Sequence, residues 1–261
     1  MKKKVVRVLS IIGSGYRFRD RLSLLLYFIS WPLRRTFFKG IDLISKVVIK
    51  NKDGFFYCGN YFSAVECVNP LFEKELRYIF KNINSGIFID IGSNVGKYTV
   101  MVGKRIKEKV ISIEPETNNL IMLKESVKIN NLNNVYLVGS ACSSKNGKKL
   151  LFIGDGVGRH SFYRDKLIDS TGTLEVDTKK LDTIVFKILK NDEIRNISFI
   201  KIDVEGAELD VIRGAVNTLK MSHPKVLIEI WDKKRLQKVN EILSKLKYVY
   251  KKVNEENYLF E

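Results

Sequence analysis

The sequence predicts an α/β fold built on an open, mostly parallel sheet, and three observations carry that prediction. From residue 87 onward, short apolar runs alternate with stretches of helical spacing. The runs are continuously apolar, as strands covered on both faces are. The first closes on a glycine-rich turn, and the first four end in acidic or small polar residues, where such a sheet binds its ligands.

Three segments follow from this reading. Residues 1–39 form a basic, partly apolar segment, residues 40–70 a small β-hairpin extension, and residues 71–261 the sheet domain. In the hairpin, IDLISKVVIK and FFYCGNYF flank a turn at Asn51-Lys52-Asp53-Gly54. Asn69-Pro70 opens a helix over 71–83, apolar at 71, 72, 76, 79, 80 and 83. IFIDIG (87–92) is the first core strand, followed by a helix over 98–106. VISIE (110–114) is the second, followed by an amphipathic helix over 118–130, and VYLVGSA (135–141) is the third. KKLLFIG (148–154) and TGTLEVDT (171–178) alternate in polarity and form an inserted hairpin around the long loop GDGVGRHS. After a helix over 179–189 come the fourth strand, ISFIKIDVEG (197–206), and a helix over 207–220. KVLIEI (225–230), a helix over 233–246 and the terminal hairpin YVYKKV and NYLFE close the chain.

Composition removes several function classes. At 45% hydrophobic and 29% charged residues, the 261-residue chain has material for a real core, which excludes wholesale disorder. Cys58, Cys67 and Cys142 form no CxxC pair, which excludes a disulfide framework and a Cys/His zinc site. Their odd number suits a reducing, cytoplasmic compartment. The net charge of +17 is uneven, with +11 of it in residues 1–52. Such a basic arm points to an anionic partner, a membrane surface or an acidic, lipid-linked glycan before nucleic acid. The most apolar stretch, residues 22–33, is too short to span a bilayer, and Pro32 is expected to interrupt any helix there. With Arg17, Arg19 and Arg21 before it and Arg34 and Arg35 after it, it either lies at a membrane interface or packs on its own domain or a second subunit.

The candidate site follows from the strand ends. The first supplies Asp90, Gly92, Ser93, Asn94, Gly96, Lys97, Tyr98 and Thr99. The second supplies Glu114, the third Ser140 and Ala141, and the fourth Asp203, Glu205 and Gly206. DIGSNVGKYT is neither GxGxxG nor Walker A, because Tyr98 follows Gly96-Lys97. Asp90 would repel a pyrophosphate and suits a cationic ligand with an amino-acid tail. Glu114, at the end of the second strand, can accept bonds from both hydroxyls of a ribose. A nucleoside-containing cofactor meets both conditions.

FIDIGSNVGKYT, ISIEPE and above all FIKIDVEGAELDVIRGA resemble the FkbM family of S-adenosylmethionine-dependent methyltransferases. SVKINNLNNV, KKLDTI and LIEI are smaller matches, and the resemblance covers about residues 70–231. It implies a Rossmann-like class I methyltransferase fold, a mostly parallel seven-stranded sheet with an antiparallel terminal hairpin. It also implies S-adenosylmethionine as cofactor and a hydroxyl of a sugar, glycan, lipid-linked glycan or secondary metabolite as acceptor. Asp90, Gly92, Asn94 and Gly96 would surround the methionine tail, Glu114 the ribose, and Ser140 and Ala141 the adenine. Asp203 and Glu205 become the candidate bases, with no metal assigned, since two carboxylates are too few for Mg²⁺. His160, in the inserted loop, is a further candidate base, and the neighbouring Arg159 could bind an acidic sugar. N-methylation of protein or RNA and a non-catalytic binding module are the alternatives. Asp203-Val-Glu-Gly, where amine methyltransferases of nucleic acid often carry an NPPY-like tetrapeptide, speaks against the first, and the intact cofactor motif against the second.

Overall fold

The computed structural model describes residues 2–37, 45–154, 160–162 and 170–261. It opens with helices α1 (Lys2–Gly13) and α2 (Phe18–Phe37), strands β1 (Val48–Asn51) and β2 (Gly54–Tyr57), and helices α3 (Phe62–Cys67) and α4 (Lys74–Lys81). The expected hairpin is present as antiparallel β1 and β2, but residues 62–67 are helical rather than extended. The start of that predicted hairpin, residues 40–44, and Lys39 lie outside the described residues.

The sheet domain continues with β3 (Ile87–Ile91), α5 (Lys97–Gly103), β4 (Val110–Ile113), α6 (Thr117–Ile129) and β5 (Val135–Val138). The insertion comprises β6 (Ala141–Cys142), β7 (Gly147–Gly154), β8 (His160–Ser161) and β9 (Ser170–Lys179). Then follow α7 (Leu181–Ile188), α8 (Asn191–Ile194), β10 (Ile197–Ile202), α9 (Glu208–Arg213), α10 (Val216–Ser222), β11 (Lys225–Glu229), α11 (Lys233–Lys245), β12 (Tyr250–Lys252) and β13 (Asn257–Phe260).

Seven strands form the main sheet in the order β12-β13-β11-β10-β3-β4-β5, all running parallel except β13, which pairs antiparallel with both β11 and β12. The chain leaves central β3 toward β4 and β5, then returns to β10 on its other side. The switch point therefore lies between β3 and β10, where Asp90 pairs Lys201 in register. Every residue of β3 is buried. One face packs Ile89, Ile111 and Ile200 under the helices α7, α9 and α10, and the other packs Phe88 and Phe199 against Phe80 and Tyr98.

Four departures from the sequence reading have physical causes. The third strand stops at Val138, and Ala141–Cys142 leaves the main sheet to pair with β9 in a separate four-stranded sheet. The helix expected over 207–220 divides at Gly214, where a Cβ would lie 2.2 Å from the Ser143 carbonyl oxygen, so the chain bends under the inserted sheet. The helix expected from residue 71 begins only at Lys74, because Glu73 adopts a left-handed conformation at φ 51°. Finally, α2 runs through Pro32 to Phe37, so the missing amide costs one helical bond without ending the helix.

The described residues before 71 pack on the sheet domain. Ile11, Leu24, Ile49, Phe56 and Val65 share a buried cluster with Val100 of α5 and Met122 of α6. The α1–α2 turn is sewn to β1 by Tyr16 N–H to Val48 O and Lys50 N–H to Ser14 O, each 2.8 Å. Asn130 donates to and accepts from the backbone of Phe55, and Arg77 donates to buried Asp53 at 2.8 Å. Residues 22–30 thus pack on their own domain along one face, with Leu24 fully buried and Tyr27 stacked on Phe62 at 4.1 Å between centroids.

Candidate active site

A cavity of about 520 Å³ opens at the carboxyl ends of β3, β4, β10 and β11, within the range of about 300–1,000 Å³ usual for small-molecule sites. Its floor is the turn after β3. Gly92 has φ 75°, and a Cβ there would stand 1.7 Å from the Asp203 carbonyl oxygen, so no side chain fits. Asn94 is also left-handed, at φ 53°. That turn directs the Asn94 N–H onto Glu114 Oε2 at 2.8 Å. Glu114 Oε1 accepts from Glu116 N–H at 3.0 Å and from the Asn119 amide at 3.4 Å. Burial pushes the Glu114 carboxyl up to about 7 against these lowering bonds.

Gly92, Ser93, Asn94, Tyr98, Glu114, Ser140 and Ala141 all line the cavity, as do Asp203, Glu205 and His160. Asp90, Gly96 and Thr99 lie beneath its surface. Thr99 Oγ1 donates to Asp90 Oδ2 at 2.7 Å, and Gly96 packs on Leu123. Asp90 is 1% exposed, and its buried carboxyl is pushed up by desolvation despite nearby Lys201. Its carboxylate is turned to Thr99 and Lys201 and does not line the cavity. Arg159 lies outside the described residues.

At the opposite end, carboxylates gather. Lys201 is fully desolvated, which alone would lower its ammonium, but Asp203, Asp90 and Glu73 outweigh burial and hold it up. Its Nζ lies 3.0 Å from Asp203 Oδ2 and 3.9 Å from Asp90 Oδ1. Glu205 follows in a left-handed conformation, φ 47°, its carbonyl held by Ser161 Oγ–H at 2.6 Å. Burial first, and Asp203 second, push its carboxyl up to about 8. Glu229, at the end of β11, is pushed up to about 9 by the same two causes. Its Oε1 accepts from the indole N–H of Trp231, which is 63% exposed at the rim. Glu73 accepts from Tyr98 O–H at 2.7 Å and Lys97 Nζ at 3.3 Å. Carboxylate oxygens of Glu73, Asp203 and Glu229 lie within 4.8 Å of one another; of the pair the sequence offered, Asp203 belongs to this cluster and Glu205 does not.

Two local features mark this as a site rather than a crevice. Of the six non-glycine residues with left-handed backbone among those described, Glu73, Asn94 and Glu205 line the cavity. Each such conformation costs about 1–3 kcal/mol and persists only where the surroundings impose it. Buried Oδ1 of Asn94, Oδ1 of Asn119 and Oγ of Ser140 also have no hydrogen-bond partner, and all three residues line the cavity. Unpartnered buried polar atoms at a cavity wall fit a ligand carrying hydroxyl and amino donors.

The structure brings Asp203 and Glu205 together beside Glu229, and His160 lines the same cavity on β8, next to the Ser161 that holds the Glu205 carbonyl. Burial lowers the His160 imidazole, and the charge acting on it is that of Glu116. Sequence reasoning missed Glu73, Asn119, Lys201, Glu229 and Trp231. Lys201 was visible as a lone cation inside an apolar strand, and Glu229 by extending the strand-end rule to the fifth strand. Nothing local distinguished Glu73 or Asn119.

Residues 90–258 match a family model described as the methyltransferase FkbM domain. "Methyltransferase 1" of Beauveria bassiana (strain ARSEF 2860) is 21% identical over 196 residues, covering 64% of this chain and 78% of that protein. The crystal structure of Methyltransferase FkbM from Methylobacillus flagellatus KT superposes with TM-score 0.49 at 14% identity, covering 99% of this chain and 59% of that one. M. jannaschii TYW2 in complex with AdoMet gives TM-score 0.43 at 14% identity, with 83% of each chain covered.

Proposed function

The chain belongs to the FkbM methyltransferase family, and we propose that it transfers a methyl group from S-adenosylmethionine to a hydroxyl oxygen of a sugar, glycan or secondary metabolite. The single observation carrying this reading is the polarity of the cavity. One end offers unpartnered buried acceptors around Glu114, and the other gathers carboxylates around Glu205. The residues fit the cofactor. Asn94, Asn119 and Ser140 have buried oxygens to spare, Gly92 admits close approach, and Glu114 Oε2, which accepts a single bond, can take a second from a ribose hydroxyl. When bound, S-adenosylmethionine supplies an electrophilic methyl on a sulfonium.

The chain's own work is orientation and proton removal. Lys201 ties Asp203 to Asp90 and so fixes the strand ends on either side of the switch point. Glu205, held by Ser161, is the base. As the acceptor oxygen gains its methyl, its proton passes to the Glu205 carboxylate. Trp231 offers an aromatic face at the rim on which a sugar ring can stack, with Glu229 beside it to accept from ring hydroxyls. Cys58, Cys67 and Cys142 are free, which suits a cytoplasmic setting. The carboxylate end also suits an acceptor with an amino group, which keeps N-methylation as the second reading.

Calorimetry against S-adenosylhomocysteine and NAD tests the cofactor. S-adenosylhomocysteine should bind, and tighter binding of NAD ends the reading. Incubating the protein, the isotope-labelled cofactor and pooled cell glycans should add one methyl per acceptor, with the label on oxygen. A label on nitrogen selects the second reading.

A further inference from the structure

The outer face of α2 carries an apolar stripe that nothing among the described residues covers. Phe18, Leu22, Leu25, Leu26 and Ile29 recur at helical spacing and are exposed, Phe18 by 82% and Ile29 by 64%. The opposite face, Ser23 and Leu24 with Tyr27 and Phe28 beside them, is committed to the domain. The helix cannot rotate to hide the stripe. Its start is fixed by Arg17 N–H bonded to the buried Asp20 carboxylate at 2.8 Å, and the preceding turn is bridged to β1 between Gly15 and Ile49. Exposed Arg17, Arg19 and Arg21 surround the first turn of the stripe.

We propose that this face of α2 docks on an anionic lipid bilayer, with the stripe in the acyl–headgroup boundary and the arginines among the headgroups. Charge decides between occupants. A second copy would bring together two segments that each hold +11 in residues 1–52, and like charge opposes that pairing. Nucleic acid would satisfy the cations but has no place for five apolar side chains. An anionic bilayer accepts both. No helix among the described residues is long and apolar enough to cross a membrane, so α2 lies along the surface.

The docked face is one helix away from the cavity. Phe62 of α3 stacks on Tyr27 of α2 and contacts Phe28, while Ser63, Glu66 and Cys67 of the same α3 line the cavity. Arg7 of α1 reaches Glu66 at 3.3 Å. A bilayer under α2 would thus lie behind the cavity's α3 wall.

Flotation of the full chain with vesicles tests this. Protein should float with phosphatidylcholine–phosphatidylglycerol vesicles, and at least tenfold less with phosphatidylcholine alone, at about 0.05 M salt. Raising salt to about 0.5 M should release most of it. The exposed double variant Leu26→Glu with Ile29→Glu should lose flotation while keeping wild-type circular dichroism and denaturation midpoint. Wild-type protein that ignores anionic vesicles overturns the proposal, as does a folded double variant that floats unchanged. A concentration-dependent dimer that the double variant dissolves, without vesicle binding, assigns the face to a second copy instead.

Discussion

At the Gly92–Glu114 end of the cavity two of the three donors to the Glu114 carboxylate are backbone amides, and the third is the Asn119 side chain. At the Glu205–Glu229 end, side chains from α4's N-terminus, β10, the loop after it and β11 converge, and among the described residues Lys201 and Lys97 are the cations paired to carboxylates there. The first arrangement is preorganised by the chain's path. The second depends on the identity of each side chain and stores electrostatic stress, visible in the raised carboxyls of Glu205 and Glu229. Invariant chemistry can be held by backbone, while a variable acceptor needs replaceable groups.

The sharpest way to break this contrast is Glu205→Gln. It should lower kcat by about 10²–10⁴-fold and leave S-adenosylhomocysteine affinity within about twofold of wild type, in steady-state kinetics with calorimetry alongside. Equal losses in both would mean that the two ends are one unit. Gly92→Ala strikes the other end. With a left-handed φ and a carbonyl 1.7 Å from the new Cβ, it should cost about 3 kcal/mol or more of stability in urea denaturation. A variant as stable as wild type would show that the turn yields more easily than its geometry says.

Glu114→Ala should weaken S-adenosylhomocysteine by about 1–3 kcal/mol through lost charge-assisted bonds, with acceptor KM unchanged. The smallest effect is with pH. The Glu205 carboxyl is raised to about 8, so it is mostly protonated at neutral pH and gains base character as pH rises. The kcat/KM profile should therefore climb toward about pH 8, and a flat profile between pH 6 and 9 would remove Glu205 from the role.

The same contrast explains what could be read in the sequence. The strands β3, β4, β10 and β11 announced themselves as continuous apolar runs, and DIGSNVGKYT by its glycines, because backbone requirements leave local marks. Of the residues expected there, Asp90, Gly96 and Thr99 prove to lie under the cavity, since a strand-end motif fixes position along the chain but not depth. Glu73 was illegible. It meets Tyr98 and Lys97 only because α4 packs across α5, 25 residues away in sequence. Pro32 was misread because a helix anchored at Leu24 and Tyr27 by packing can absorb a lost hydrogen bond.

The cluster that joins Ile11 and Leu24 to Met122 has a consequence for how the protein is made. Leu24 leaves the ribosome roughly 100 residues before the α6 surface it packs against, about 5–20 s at ordinary elongation rates. Through that interval the inward side of α2 is as bare as its outward side. Pulse-labelling hydrogen exchange during refolding should accordingly find α2 amides protected no earlier than those of α6. Protection of α2 before α6 would show that the segment finds a partner of its own while it waits.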